Sequence, residues 1–294
     1  MQTLAGKVAV VTGGGGGIGR ALARRFGQEG MKVVLADYDT DLLAAAEQEM
    51  TDASVEVLAV PVDVTKRTSV DALRDATLER FGEVHLLCNN AGIANQGSGA
   101  IWDLEDADWR WSLDVHLLGV AHGCESFVPV MLGQDQEAHI VNTSSGNGGL
   151  YPLPTTPTYA VAKAAMTTYS ECLWGQLRAA GAKIGVSVLF PTGYSPGLLN
   201  TGIWNQRERP AEYAGSVARP LRRGLDLFLE RAKEEGREVR FTPLEEVADQ
   251  VVVGVTTDQF WLHVPSEASD QKLRDRFESI IERRPPLYLT TPSL

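Results

Sequence analysis

Directly behind the apolar stretch Val8 to Val11 the chain runs Thr12-Gly13-Gly14-Gly15-Gly16-Gly17-Ile18-Gly19. A turn that presses backbone N–H groups against a pyrophosphate has no room for Cβ atoms, and glycine meets that demand. Each glycine costs roughly 0.5–1 kcal/mol of chain entropy relative to alanine in regular structure, so an unbroken run of them calls for a functional reason. A strand followed by such a run and then a helix is the context of a dinucleotide-binding turn. Two spacings fit at once, Gly14-x-Gly16-x-x-Gly19 and Gly13-x-x-x-Gly17-x-Gly19, so the glycines alone leave the nucleotide class open.

The rest of the chain repeats the same alternation. Short β-branched runs at Lys7 to Thr12, Lys32 to Asp37, Val55 to Val60, Val84 to Asn89, His139 to Thr143, Ile184 to Phe190 and Phe260 to Val264 read as strands. Helical patterns over Gly17 to Glu29, Asp39 to Met50, Lys66 to Phe81, Ala107 to Met131, Thr158 to Ala179, Pro243 to Val255 and Glu267 to Glu282 separate or follow them. This predicts an α/β doubly wound parallel sheet of about seven strands, with right-handed crossovers placing helices on both faces. Near-continuous apolar runs such as Leu86-Leu87-Cys88 suit strands covered on both sides. We expect one domain over residues 1–294, with 191–240 as a substrate-binding loop and lid helix and 285–294 as a tail.

A formal charge of −11 argues against a nucleic-acid partner. Cys88, Cys124 and Cys172 are far apart, and the histidines show no ligand spacing, so neither a disulfide framework nor a metal site is expected. No stretch approaches the roughly 20 apolar residues of a spanning helix, and the start of the chain shows no export signal, so the expectation is a cytoplasmic protein without membrane contact.

Asp37 ends the second strand, 20 residues beyond Gly17, where a carboxylate can accept the adenosine ribose hydroxyls. A 2′-phosphate would meet the charges of Asp37 and Asp39, with Arg20 the one nearby cation, so NAD is favoured over NADP. Tyr159 and Lys163, four apart, share one helix face. A phenol is a poor base at neutral pH, and lowering it by two to three units requires about 3–4 kcal/mol. An ammonium about 4 Å away at an effective dielectric near 20 supplies about 4 kcal/mol, which makes the pair sufficient in magnitude.

With Thr12 to Gly19, Asp63, Asn89-Asn90-Ala91-Gly92, Ser144-Ser145 and Tyr159-x-x-x-Lys163 in this order, the chain resembles the short-chain dehydrogenase/reductase family over roughly residues 5 to 205. The resemblance implies a Rossmann fold and hydride exchange with a nicotinamide cofactor. It makes Tyr159 the general acid/base, Lys163 its electrostatic partner and a ribose ligand, and Ser145 the hydrogen-bond donor to the substrate oxygen. It also places Gly13, Gly17, Ile18 and Gly19 at the pyrophosphate, Asp63 and Val64 at the adenine, and Asn90, Ala91 and Gly92 near the nicotinamide-side ribose.

Three departures from the family pattern stand out. His116 occupies the position of an asparagine that supports a water relay behind the lysine; imidazole can serve a relay or simply fill the core. The stretch from Ser145 to Tyr159 is one residue longer than usual, which makes Ser144 a rival for Ser145. Pro191-Thr192-Gly193 replaces the usual Pro-Gly, so Thr201 or Thr192 supplies the carboxamide contact.

Trp204, Tyr151, Leu153, Tyr213, Leu198 and Leu199 give the expected pocket an apolar and aromatic character, while Arg207 and Arg209 either meet a carboxylate or face water. A hydrophobic or aromatic secondary alcohol, or the matching ketone, is the expected substrate. A silent NAD-binding regulatory protein and an epimerase or dehydratase of the same family are the alternatives. Helices 107–131 and 158–179 carry Trp109, Trp111, Phe127, Tyr169, Leu173 and Trp174, more than one buried stripe requires, and a homotetramer or dimer is expected through them.

Overall fold

The computed structural model describes residues 1–93, 100–191, 198–199, 201–204, 209–215, 224–234, 236, 239 and 241–289. In chain order its elements are β1 (Val8–Thr12), α1 (Gly17–Gln28), β2 (Lys32–Asp37), α2 (Thr40–Asp52), β3 (Val57–Pro61), α3 (Arg67–Phe81), β4 (Leu86–Asn89), α4 (Asp106–Leu113) and α5 (Gly119–Gln134). Then follow β5 (Ala138–Thr143), α6 (Pro157–Ala179), β6 (Ile184–Leu189), β7 (Leu198–Leu199), α7 (Gly224–Glu234), β8 (Phe241–Thr242), α8 (Leu244–Thr256), β9 (Trp261–Leu262) and α9 (Glu267–Ile281).

Seven strands form one sheet in the order β3-β2-β1-β4-β5-β6-β9, every neighbouring pair parallel. Strands β7 and β8 pair separately. Successive strand residues point to opposite faces, and the core divides accordingly. Ala9, Val11, Leu35 and Cys88 pack on one face with Leu22 and Phe26 of α1 and Val251 of α8. Val8, Val10, Val34 and Leu87 pack on the other with Leu73 of α3, Phe127 of α5 and Met166 of α6. The chain leaves β1 toward β2 and returns on the far side at β4, so a crevice opens beyond the C-terminal ends of β1 and β4, the switch point where ligands bind in open α/β sheets.

Local signals set the helix ends. Asp39 caps α2 by accepting the N–H groups of Asp41 and Leu42. Gly82 ends α3 with a left-handed φ of 78°, and Pro157 opens α6 where its missing N–H costs nothing.

Two expectations need correction. The run expected as one regular helix over 107–131 is α4 and α5 joined by a π-turn, Asp114–Leu118, that carries His116. That continuous stretch, Asp106–Gln134, is also long and apolar enough by composition to cross a membrane, contrary to the sequence reading. Half of its most apolar window is buried inside the fold, where Val120, Phe127 and Met131 pack on the sheet. Of the residues expected at an oligomer face, Trp111 and Phe127 are buried while Trp174 is exposed.

Candidate active site

A cleft of about 280 Å³ lies in the crevice. At one end the glycine turn forms its floor. Gly13 holds φ at 69°, and a Cβ there would stand 3.0 Å from the Cα of Ala91; at Gly19 a Cβ would overlap the carbonyl of Gly13. These are places where only glycine lets the turn and the next loop close together. Ile18 and Gly17 border the cleft, and Thr201 packs against Gly17. Thr201 thus lies beside the glycine turn; Thr192, Leu198's side chain, the Trp204 side chain and Arg207 lie outside what is described.

Asp37 reaches the cleft from the end of β2. One carboxylate oxygen accepts the N–H of Gly15 and the other that of Asp39, both at 3.0 Å. Two backbone donors fix the orientation of the carboxylate. Asp63 and Val64 border the cleft after β3, and Asp63 accepts both the N–H and the hydroxyl of Thr65.

Thr12 joins the glycine turn to the loop after β4. Its hydroxyl accepts the N–H groups of Asn90 and Ala91 at 2.9 and 3.1 Å, and its carbonyl accepts from the Asn90 side chain. Asn90 also accepts from Thr143 at the end of β5. Asn90, Ala91 and Gly92 therefore border the cleft at one fixed depth.

Tyr159 and Lys163 rise from α6 into the same cleft. Lys163 is buried, donates to the carbonyl of Thr143 at 2.7 Å, and holds its ammonium 5.6 Å from the centre of the Tyr159 ring. Burial lowers the Lys163 ammonium to about 7. Burial raises the Tyr159 phenol above its ordinary value, opposed by a hydrogen bond from Ser145. Desolvation thus acts against the charged form of both groups.

The two serines point in different directions. Ser144 borders the cleft, but its hydroxyl engages Thr167 at 2.8 Å and the carbonyl of Lys163 at 3.4 Å. Ser145 does not itself border the cleft, yet its hydroxyl meets Tyr159 while accepting the N–H of Asn147 at 3.2 Å. In the segment Gly146–Leu150 that precedes α6, Gly148 at φ 93° lies so close to that helix that a Cβ would collide with the carbonyl of Ala160. Asn147 ties this segment down, donating to Thr156 at 2.7 Å and accepting from Leu153 at 2.8 Å.

His116 stands edge-on to Tyr159, ring centres 5.0 Å apart. Its Nε2 accepts the N–H of Ile93 at 3.2 Å, which places the ring proton on Nδ1, facing Ser112. Burial first, and then the Lys163 charge, push its pKa well below the ordinary histidine value.

The far end of the cleft is formed by residues the sequence reading largely assigned elsewhere. Trp111, Val115 and Ile93 border it with Tyr213 and Pro210. Arg209 is largely turned away from water and pairs with Asp108, whose side chain is fully buried. Tyr151 points to Ser269 on α9, and Leu199 packs against the core, so neither joins this wall. No residue spacing signals the pairing of α4 with residues 209–215, because the partners lie about 100 positions apart. Among the described residues no group of three or more potential metal ligands occurs.

Comparisons with known proteins agree with this architecture. The short chain dehydrogenase family matches residues 7–210. A dehydrogenase/reductase of CLA biosynthesis from Lactiplantibacillus plantarum is 34% identical over 215 residues, covering 73% of this chain and 72% of the relative. A short chain dehydrogenase/reductase from Burkholderia phymatum, solved in complex with NAD, superposes with a TM-score of 0.86 at 38% identity over 100% of this chain and 99% of that one. A metagenomic short-chain oxidoreductase in complex with NADP gives a TM-score of 0.67 at 25% identity, covering 90% of this chain and 98% of that one. The glycine floor, the crevice at the strand ends and the Tyr159–Lys163 pair thus have their explanation in common descent: this chain belongs to the short-chain dehydrogenase/reductase family.

Proposed function

We propose that this protein is an NAD-dependent oxidoreductase that moves a hydride between nicotinamide and a hydrophobic or aromatic secondary alcohol or its ketone. The observation that carries this reading is the convergence of Tyr159, hydrogen-bonded by Ser145, and Lys163 in one cleft that also takes in a fixed Asp37. The glycine turn leaves a cradle that a Cβ would fill, which suits a pyrophosphate, and Asp37 suits ribose hydroxyls. Its charge disfavours a 2′-phosphate, and the Burkholderia phymatum relative binds NAD.

Gly13, Gly17, Ile18 and Gly19 would hold the pyrophosphate, with Thr201 beside them. Asp63 and Val64 would edge the adenine, and Asn90, Ala91, Gly92 and Lys163 the second ribose. When bound, oxidised nicotinamide supplies a hydride acceptor and a positive charge. Tyr159 takes the alcohol proton as the C–H hydride leaves and returns it in the reverse direction. Ser145 orients the substrate oxygen and the phenol, and Lys163 favours phenolate. His116, with both nitrogens engaged, positions Tyr159 and the 90–93 loop and does not carry protons. The chain acts as one domain over 1–294, with 191–240 as its substrate loop and lid, and the exposed Val161 and Trp174 of α6 mark a homo-oligomer face.

The test is a panel of secondary alcohols with NAD+ and with NADP+, followed by NADH or NADPH formation. Turnover of hydrophobic alcohols with NAD+ is expected. Failure of every alcohol and ketone with both coenzymes would return the choice to the silent or epimerase readings.

A further inference from the structure

We infer that α9 clasps the segment that carries Ser145, with Arg276 as the positioning residue that sets the Ser145 hydroxyl for the substrate oxygen. This rests on the dehydrogenase reading above. Ser269, Lys272 and Arg276 follow one another at spacings of three and four, so they form a single stripe along α9. All three meet the same short stretch of chain. Arg276 donates to the carbonyl of Leu150, the Lys272 ammonium lies 5.6 Å from the centre of the Tyr151 ring, and the hydroxyls of Ser269 and Tyr151 are 3.4 Å apart. Among the described residues, no side chain of α9 belongs to the apolar clusters on the two faces of the sheet or to the one around Trp111. The helix is thus attached outside the core, and loosening its grip on Leu150 leaves the packing of the sheet intact.

The stretch it grips closes a glycine-rich turn. Gly146, Gly148 and Gly149 bring the backbone freedom of residues without a Cβ, so the turn needs ties from outside to keep one shape. Asn147 supplies them on one side through Thr156 and Leu153, and α9 supplies them on the other. Inside the turn the N–H of Tyr151 donates to the carbonyl of Gly146 at 3.2 Å, that of Gly148 to the carbonyl of Tyr151 at 2.9 Å, and that of Gly149 to the carbonyl of Ser145 at 3.1 Å. The last of these, together with the Asn147 N–H on the Ser145 hydroxyl, carries the placement of Leu150 and Tyr151 back to Ser145. Burial raises the Tyr159 phenol, and the hydrogen bond from Ser145 opposes that rise. A hydrogen bond donated by a guanidinium is stronger than a neutral one, and the planar fork of arginine fixes its direction.

The experiment compares the full chain with its Arg276→Met, Arg276→Lys and Ser145→Ala variants and with the Ser145→Ala, Arg276→Met double variant, using 1-phenylethanol, cyclohexanol and 2-octanol with NAD+. Hydrogen exchange at the amides of Gly148, Gly149 and Tyr151 is followed in parallel without substrate. Arg276→Met keeps the apolar stem and loses the donor; Arg276→Ala replaces it if that chain does not fold. Arg276→Met should speed exchange at the three amides by about tenfold while those of β1, β4 and β5 exchange as before. It should lower kcat by about tenfold, the scale of one misplaced hydrogen bond, with NADH affinity unmoved and the alkaline limb of oxidation shifted to higher pH. Arg276→Lys, which keeps a cationic donor, should restore most of each. In the Ser145→Ala background Arg276→Met should change kcat less than about twofold, because the route through Ser145 is already cut. An equal loss with and without Ser145, or unchanged exchange at the three amides, overturns the proposal. If no alcohol turns over, the dehydrogenase reading fails; the clasp then stands if Arg276→Met frees those amides and Arg276→Lys protects them, and falls if not.

Discussion

The ammonium of Lys163 donates to the carbonyl oxygen of Thr143 at 2.7 Å, so the last residue of β5 holds a charge that burial would otherwise expel. With its pKa lowered to about 7, Lys163 releases its proton in the folded chain at a lower pH than in the unfolded chain. Between about 7 and the ordinary lysine value the unfolded state binds the extra proton, so stability rises with pH there. We expect the stability of the wild type, relative to Lys163→Met, to increase by up to about 1.4 kcal/mol per pH unit across that window. Urea denaturation at pH 6.5, 8 and 9.5 checks it; a difference flat with pH would contradict the assignment.

Burial raises the Tyr159 phenol, so phenolate is scarce at neutral pH. Alcohol oxidation should therefore accelerate as pH rises through the alkaline range, and Tyr159→Phe should lose turnover by orders of magnitude while still binding NADH. Steady-state pH profiles together with NADH fluorescence titration separate the two effects. Undiminished turnover in the variant would remove Tyr159 from the chemistry.

Asp37 is fixed by the backbone N–H groups of Gly15 and Asp39. Asp37→Ala should narrow the preference for NAD over NADP by roughly tenfold or more, the scale of one lost charge contact. The readout is the ratio of kcat/KM for the two coenzymes, and a ratio that does not move would show that another residue selects.

His116 has its pKa held well below the ordinary histidine range and its Nε2 committed to Ile93. It should contribute no titration between pH 5.5 and 8. His116→Asn, which can still offer an oxygen to the Ile93 N–H, is expected to keep the shape of the pH–rate profile while lowering kcat. A limb near pH 6.5 present in the wild type and lost in His116→Asn would show instead that the imidazole carries protons.

Gly148 sits at φ 93° against the carbonyl of Ala160, next to Tyr159. Gly148→Ala should destabilise the fold by about 2–4 kcal/mol, because it combines backbone strain with a steric clash. Thermal denaturation tests this, and a Tm within a degree of the wild type would show that the segment has room to move.

Much of this site is local in sequence. The turn at 12–19, the acid at 37 and the helical pair at 159 and 163 each depend on neighbours within one strand, turn or helix, where spacing dictates direction. Ser145 was legible together with its rival Ser144, since a one-residue insertion hides which hydroxyl faces Tyr159. Asn147, Thr12 as a hydroxyl acceptor, and the Trp111–Tyr213 contact were not legible in the same way. Their partners come from separate elements, and a buried hydrogen bond or ring contact between distant segments leaves no periodic trace.

The sequence by itself determined the alternating parallel architecture, the glycine floor and the acid and base types available for chemistry, because hydrophobic period, conformational freedom and side-chain chemistry are properties of short segments. Only the tertiary structure decided which groups lose water and whom they meet: the depth that moves Lys163 and Tyr159 against their charged forms, the commitment of His116, and the pairing of Arg209 with Asp108. Desolvation and long-range pairing depend on what surrounds a residue in space, and the chain folded around the sheet is what sets those surroundings.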